Sequence, residues 1–202
     1  MKKTISLFIL FSVSILGIIC AVTGIIEPLE NEIASFINPN SANNVLFRFF
    51  SWLGEAMQII AILAVLLLLP SRERVGLPVA VTLLVSWDLN EIIKLIIKRQ
   101  RPAQRLLEVG GYSFPSGHAM NAAALYIAVM LALLKIYKKP WQKAVIICIL
   151  SIIPFMIGLS RIYFNVHYTT DVITGWCLGA IAAIIFDAVF ENIRKKKAKI
   201  KK

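Results

Sequence analysis

Apolar residues run along this chain in long stretches broken by short polar turns, and the stretches have helix length rather than strand length. Crossing a hydrocarbon layer about 30 Å thick takes roughly 20 helical residues. Six stretches approach that length, near 5–26, 52–70, 76–97, 118–137, 141–160 and 168–190. The pattern predicts an all-α fold, a polytopic membrane helical bundle of about six transmembrane helices. The segment of about 28–50 differs, because it mixes Glu27, Glu30 and Glu32 with Phe36, Ile37, Leu46, Phe47, Phe49 and Phe50. An interfacial amphipathic helix between the first two spans is expected there. Met1-Lys2-Lys3 opens the chain as a secretory leader opens, but the apolar run continues from Ile5 to about Ile26 and no small-x-small cleavage site closes it. A retained first span is therefore expected.

Composition strengthens the membrane reading. The 202 residues are 58% hydrophobic, against about 45–50% in soluble domains. No Pro-, Gly- or Ser-rich linker divides them, so residues 1–202 are expected to form one unit, with the chemistry concentrated in 94–171. The three cysteines, Cys20, Cys148 and Cys177, lie inside apolar runs without metal-ligand spacing and read as packing residues.

A net charge of +11 raises nucleic acid as a partner, but nucleic-acid binders gather their basic residues on a water-facing surface. Here most lie in short turns, so no nucleic acid is expected, and the bilayer is the natural partner. With the N-terminus inside, 15 of the 22 Lys and Arg residues fall on one side: Lys2 and Lys3, the Arg72–Arg74 turn, the Lys135–Lys143 loop and the tail from Arg194. The positive-inside rule makes that side the cytoplasm and puts both termini there. The other seven, Arg48, Lys94, Lys98, Arg99, Arg101, Arg105 and Arg161, are expected near the outer face. For Arg48, Lys98, Arg99 and Arg105 a solvated loop or a headgroup contact is the plain account.

Lys94, Arg101 and Arg161 have company that changes their meaning. Three stretches hold nearly all the chemically capable side chains: Lys94 to Arg101-Pro102, Pro115-Ser116-Gly117-His118, and Ser160-Arg161 through His167 to Asp171. Both histidines of the chain are among them. Ionisable residues beside transmembrane helices are costly unless paired or lining a polar cavity, so such a cluster points to function. Two guanidinium forks and one ammonium suit a phosphate. The helix expected after Pro115-Ser116-Gly117 aims free N–H groups at the same place. The Ser116 hydroxyl either caps that helix or donates to a phosphate oxygen, while Gly117 admits close approach to the backbone. His167 and Asp171, four apart, are expected on one helical face, the carboxylate fixing the ring tautomer so that the other nitrogen can attack phosphorus. His118 then serves as general acid and base. Glu91 and Lys94, three apart, can pair, and Gly110-Gly111 is either a tight turn or a loop that moves over a headgroup.

At these residues the sequence resembles the type 2 phosphatidic acid phosphatase family, whose signature is K-x6-RP, PSGH and SR-x5-H-x3-D. All positions match in type, spacing and order, and the resemblance extends from the third span to the sixth. It implies His167 as nucleophile, Asp171 as its orienting partner, His118 as general acid and base, and Lys94, Arg101, Ser116, Gly117 and Arg161 as phosphate ligands. The implied activity is hydrolysis of a lipid phosphate or diphosphate (undecaprenyl diphosphate, phosphatidylglycerophosphate or phosphatidate) at the outer membrane face, with no cofactor and no metal. The alternative is a catalytically silent headgroup binder or carrier.

Overall fold

The computed structural model describes residues 2–37 and 42–200, and these form eight helices with no strand among them. They are α1 (Lys2–Thr23), α2 (Glu27–Ile37), α3 (Val45–Leu53), α4 (Ala56–Leu68), α5 (Gly76–Ile97), α6 (Gly117–Ile136), α7 (Pro140–Tyr163) and α8 (Thr169–Ile200). The all-α expectation holds. Four helices, α1, α6, α7 and α8, are long and apolar enough to cross a membrane, and α3 with α4 makes a fifth if that bent pair is one span. Helix α5 falls outside this set. Its 22 residues have the length, about 33 Å, but its C-terminal half carries Asp88, Asn90, Glu91 and Lys94.

The amphipathic segment departs from expectation. It is two helices rather than one, and residues 38–41 between them lie outside the described residues. The second of the two, α3, runs on into α4 with a 56° bend at Gly54-Glu55. The span expected to start near residue 52 is thus part of a longer broken element. The cause is local: Gly54 closes α3 with its N–H on the carbonyls of Phe50, Ser51 and Trp52, and a Cβ on Gly54 would stand 2.5 Å from Ile157 Cγ2 and 3.0 Å from His118 Cδ2. Only a residue without a side chain lets the bend rest against the neighbouring helices.

Helix α8 is the centre of the bundle. Gly175 and Gly179 present bare backbone to α6, where added Cβ atoms would lie 2.8 Å from the Ser116 carbonyl oxygen and 2.2 Å from that of Met120. Gly17 of α1 sits equally close to Thr174, and Gly158 of α7 to Trp176. Small residues at such positions let helix backbones approach closely, which gains dispersion contact where lipid gives no hydrophobic drive. The contact order fixes direction: Gly175 meets Ser116–Met120 and Gly179 meets Met120–Ala124, so α6 and α8 run parallel. In α1 it is the C-terminal part that meets the start of α8, so these two run antiparallel. The N-terminus and the basic tail accordingly lie at one end of the bundle, and the start of α6, the start of α8 and the end of α5 lie at the other. Of the cysteines, Cys20 and Cys177 are buried as expected, whereas Cys148 is exposed on α7.

Candidate active site

The site grows from three helix ends. Helix α5 stops at Lys98, whose left-handed backbone (φ 52°) returns its N–H to the Lys94 carbonyl and turns the chain inward. A loop then leads to Ser116, the N-cap of α6. Helix α8 begins at Thr169, and the carboxylate of Asp171, three residues past its N-cap, accepts from the Tyr168 N–H at 3.0 Å. This is the reciprocal half of a capping box. The two helix starts are joined by a 3.0 Å bond from the Ser116 N–H to the Asp171 carbonyl oxygen.

His167 is buried just before α8 rather than within it, so it does not stack on Asp171 along a helical face as expected. The turn into the helix brings them together instead, with Nδ1 3.5 Å from Asp171 Oδ2. Ser113 lies between them, donating to Asp171 Oδ2 at 2.5 Å with its oxygen 3.4 Å from His167 Nδ1. On the far side of the ring, Arg101 Nη1 stands 3.0 Å from His167 Nε2. A guanidinium can only donate, so Nε2 accepts and the ring proton of the neutral imidazole is on Nδ1, facing the carboxylate. Burial, opposed by Asp171 and assisted by Arg101 and Arg161, lowers the His167 pKa to about 4.

The expected cations surround this ring. Arg101 also donates to the carbonyls of Gly110, Gly111 and Val166, which fixes its fork; the Gly110-Gly111 pair is a turn that holds an arginine. Burial lowers the Arg101 pKa from its ordinary value, with Asp171 opposing. Arg161, 3% exposed, donates through Nη1 to Ser51 of α3 at 2.5 Å, and its Nε has no partner. Lys94 pairs with Glu91 at 2.9 Å, as the spacing allows. Its Nζ lies 3.6 Å from where a Cβ of Gly117 would be. His118 is within electrostatic reach of Arg161, His167, Lys94 and Arg101. The Ser116 hydroxyl is fully buried, caps nothing and has no partner. All eight residues singled out from the sequence therefore converge on one end of the bundle. Among the described residues, no group of three His, Cys, Asp or Glu side chains is placed to hold a metal.

A cavity of about 170 Å³ opens beside His118, lined by Gly54, Trp87, Asn90, Lys94, Gly117 and Asn121 among others. It shares Ile59 and Trp87 with a second, largely apolar groove of about 340 Å³ between α4 and α5, bounded by Ile60, Leu63, Leu83 and Leu84.

One expectation fails here. Arg99 is not solvated: it is buried, with Nη1 2.7 Å from Asp171 Oδ1 and Nη2 2.6 Å from Glu30 Oε2 of α2. Burial opposes its charge, but the two carboxylates outweigh that and raise its pKa. Glu30, Ser113 and Ser51 likewise carried no signal in the sequence.

Residues 75–195, which include all three motif stretches, match the profile of the PAP2 superfamily. Phosphatidylglycerophosphatase B of Bacillus subtilis is 35% identical over 115 residues, a match that covers 55% of this chain and only 56% of that protein's length. Undecaprenyl-diphosphatase of Sulfolobus acidocaldarius is 30% identical over 159 residues, covering 74% of this chain and 72% of its own. Among solved structures, the transmembrane PAP2-type phosphatidylglycerolphosphate phosphatase of Bacillus subtilis superposes with a TM-score of 0.78 at 26% identity, over 96% of this chain and 98% of that one.

Proposed function

The chain belongs to the PAP2 superfamily, and from that premise we propose that it is a membrane lipid phosphatase that works through a phosphohistidine on His167. The observation that carries the reading is the placement of the His167 ring, its Nε2 facing Arg101 and its Nδ1 facing Asp171. When a phosphate takes over the Arg101 donors, Nε2 is left with a free lone pair directed at phosphorus. Its attack forms the P–N bond as the bond from phosphorus to the leaving oxygen breaks, and His118 gives that oxygen a proton. His118 then takes a proton from water, whose oxygen attacks phosphorus, breaks the P–N bond and frees phosphate. Asp171 stabilises the imidazolium between the two steps. Lys94, Arg101, Arg161, the Ser116 hydroxyl and the Gly117 N–H hold the non-bridging oxygens, so the developing charge meets fixed cations and a helix start.

The apolar groove between α4 and α5 supports a lipid substrate, because it continues the cavity beside His118, where the leaving group must stand. Counting α5 and the bent α3–α4 pair as spans gives six crossings. The positive-inside rule then puts both termini in the cytoplasm and the site at the extracytoplasmic face. That position favours recycling of undecaprenyl diphosphate, with phosphatidylglycerophosphate and phosphatidate as the other candidates.

The test is phosphate release by the detergent-purified protein in EDTA from those three lipids, wild type against His167→Ala. Release that is lost in the variant is the expected result and ranks the substrates. No release from any of the three by folded wild type leaves a silent headgroup binder as the better account.

A further inference from the structure

Helix α2 reaches the site through charges that the mechanism above leaves unused. Glu30 is 2% exposed and Asp171 fully buried, and Arg99 stands between them. The guanidinium divides its fork: Nη1 goes to Asp171 Oδ1 and to the Thr170 hydroxyl (2.9 Å), and Nη2 goes to Glu30 Oε2. The other oxygen of Glu30 accepts from Thr170, both from its N–H at 2.9 Å and from its hydroxyl at 2.5 Å. One turn earlier, Glu27 accepts from the Tyr168 hydroxyl at 3.0 Å, and the Tyr168 ring lies under the Arg99 guanidinium at 3.9 Å. Two carboxylates on one face of α2 thus grip Tyr168 and Thr170, which directly follow His167 at the start of α8.

We propose that Arg99 and Glu30 are positioning residues for the reaction, holding the Asp171 carboxylate, and through it the His167 ring, in the attacking orientation. The proposal rests on the reading of His167 as nucleophile. A carboxylate has two oxygens, and here they are assigned separately. Arg99 holds Oδ1, which turns Oδ2 toward His167 Nδ1, Ser113 and the Tyr168 N–H. The Arg99 carbonyl also accepts from the Ser113 N–H at 2.8 Å, so a single residue places two of the donors to Asp171. Glu30 fixes the plane of the guanidinium that does this.

Mere docking of α2 would need no such division, and the electrostatics separate the two accounts. Arg99 draws negative charge away from the His167 side of Asp171, and Glu30 gives part of it back. Removing Arg99 therefore makes His167 easier to protonate, and removing the charge of Glu30 makes it harder. The groups facing His167 and Asp171 are Arg101 and Arg99 from the loop after α5, His118 of α6, Arg161 of α7, Tyr168, and Glu27 and Glu30 of α2. All but the altered residue stay the same in the comparison.

The experiment measures kcat, KM, the acid limb of the pH profile and thermal unfolding for full-length Glu30→Gln, Arg99→Gln and Arg99→Lys in detergent. The substrate is whichever of undecaprenyl diphosphate, phosphatidylglycerophosphate and phosphatidate the wild type hydrolyses fastest. The expected result is kcat lowered about 10- to 100-fold in Glu30→Gln and Arg99→Gln, as for other residues that orient a catalytic group through hydrogen bonds, with KM nearly unchanged. The acid limb should move by roughly 0.5–1 pH unit, down in Glu30→Gln and up in Arg99→Gln. Arg99→Lys, which keeps the charge, should recover most of the turnover and leave the limb in place. Folded Glu30→Gln with wild-type kcat, turnover lost only in step with unfolding while the limb stays put in Glu30→Gln, or folded Arg99→Lys with its acid limb displaced, would overturn the proposal. If Arg99→Gln does not fold, those two variants still decide. Release that survives His167→Ala sinks the nucleophile instead, whatever Glu30→Gln does.

Discussion

Asp171 receives every one of its side-chain contacts from a donor: Arg99 on one oxygen, and Ser113, the Tyr168 N–H and the Nδ1 proton of His167 on the other. An amide in its place turns an N–H₂ against one of these donor sets. Asp171→Asn should therefore insert and fold, yet lose turnover by on the order of 10³- to 10⁴-fold, since the ring tautomer is no longer fixed; turnover near wild type in purified, folded protein would remove Asp171 from the mechanism. The His167 ring itself sets a pH limit. Below its pKa it is an imidazolium without a lone pair, so lowering that pKa to about 4 by burial extends activity toward acid. With chemistry limiting, kcat/KM should hold through the usual histidine range on the acid side and fall as pH drops through about 4. An acid limb near 6.5 would mean that burial does not act on His167 as the structure implies. The residues of these predictions divide by how they could be read. His118, His167, Asp171, Lys94, Arg101 and Arg161 were legible because anion chemistry needs those side-chain types at short fixed spacings. Arg99, Glu30 and Ser113 were not, because Arg99 meets Glu30 and Asp171 across 69 and 72 positions, and Ser113 meets Asp171 across 58. An arginine in a basic turn after a span reads as solvated until the fold turns it back onto the bundle.

Helices were legible from apolar run length, since a membrane leaves the backbone few alternatives to hydrogen bonding within its own segment. Direction and approach were not. Hydropathy registers that α3 and α4 are apolar but not that the chain bends by 56° at Gly54, and it sees Gly175-Trp-Cys-Leu-Gly179 as a weak patch in a good span. That spacing is a small-xxx-small motif, and the structure uses it to bring α8 against α6 where the two helix starts share the Ser116–Asp171 backbone bond. Gly179→Ala places a methyl group 2.2 Å from the Met120 carbonyl oxygen, a backbone atom that cannot rotate aside. The helices must separate, at a cost of about 1–3 kcal/mol, and the site at their ends must loosen. A lowered unfolding temperature in detergent together with reduced turnover is expected. Val145→Ala, exposed on α7 and not part of the site, is the control; it should leave both quantities near wild type. Equal effects of the two substitutions would contradict the close α6–α8 approach.

At the scale of the molecule, charge and chemistry lie at opposite ends. The basic tail from Arg194 and the N-terminus share one end, and the cations that converge on His167 and His118 occupy the other. A cytoplasmic leaflet rich in anionic lipid attracts lysine and arginine near its surface by about 1 kcal/mol each, so under the proposed topology the tail, which forms no part of the site, would face that leaflet. The site cations cannot act the same way, because Arg99, Arg101 and Arg161 are already committed to Asp171, Glu30, backbone carbonyls and Ser51. Under the proposed function this sidedness decides which substrate pool the protein meets, and it is measurable without any assay of activity. A single cysteine at Ala103, exposed in the loop after α5, should react with a membrane-impermeant maleimide in intact cells. One at Lys196, exposed in the tail of α8, should react only after the cells are opened. The buried Cys20 and Cys177 should stay silent, and Cys148 is replaced by serine in both proteins because it is exposed. The reverse pattern would place His167 in the cytoplasm, where a lipid phosphate made by cytoplasmic enzymes, rather than the diphosphate left outside after a carrier has delivered its cargo, becomes the substrate to pursue.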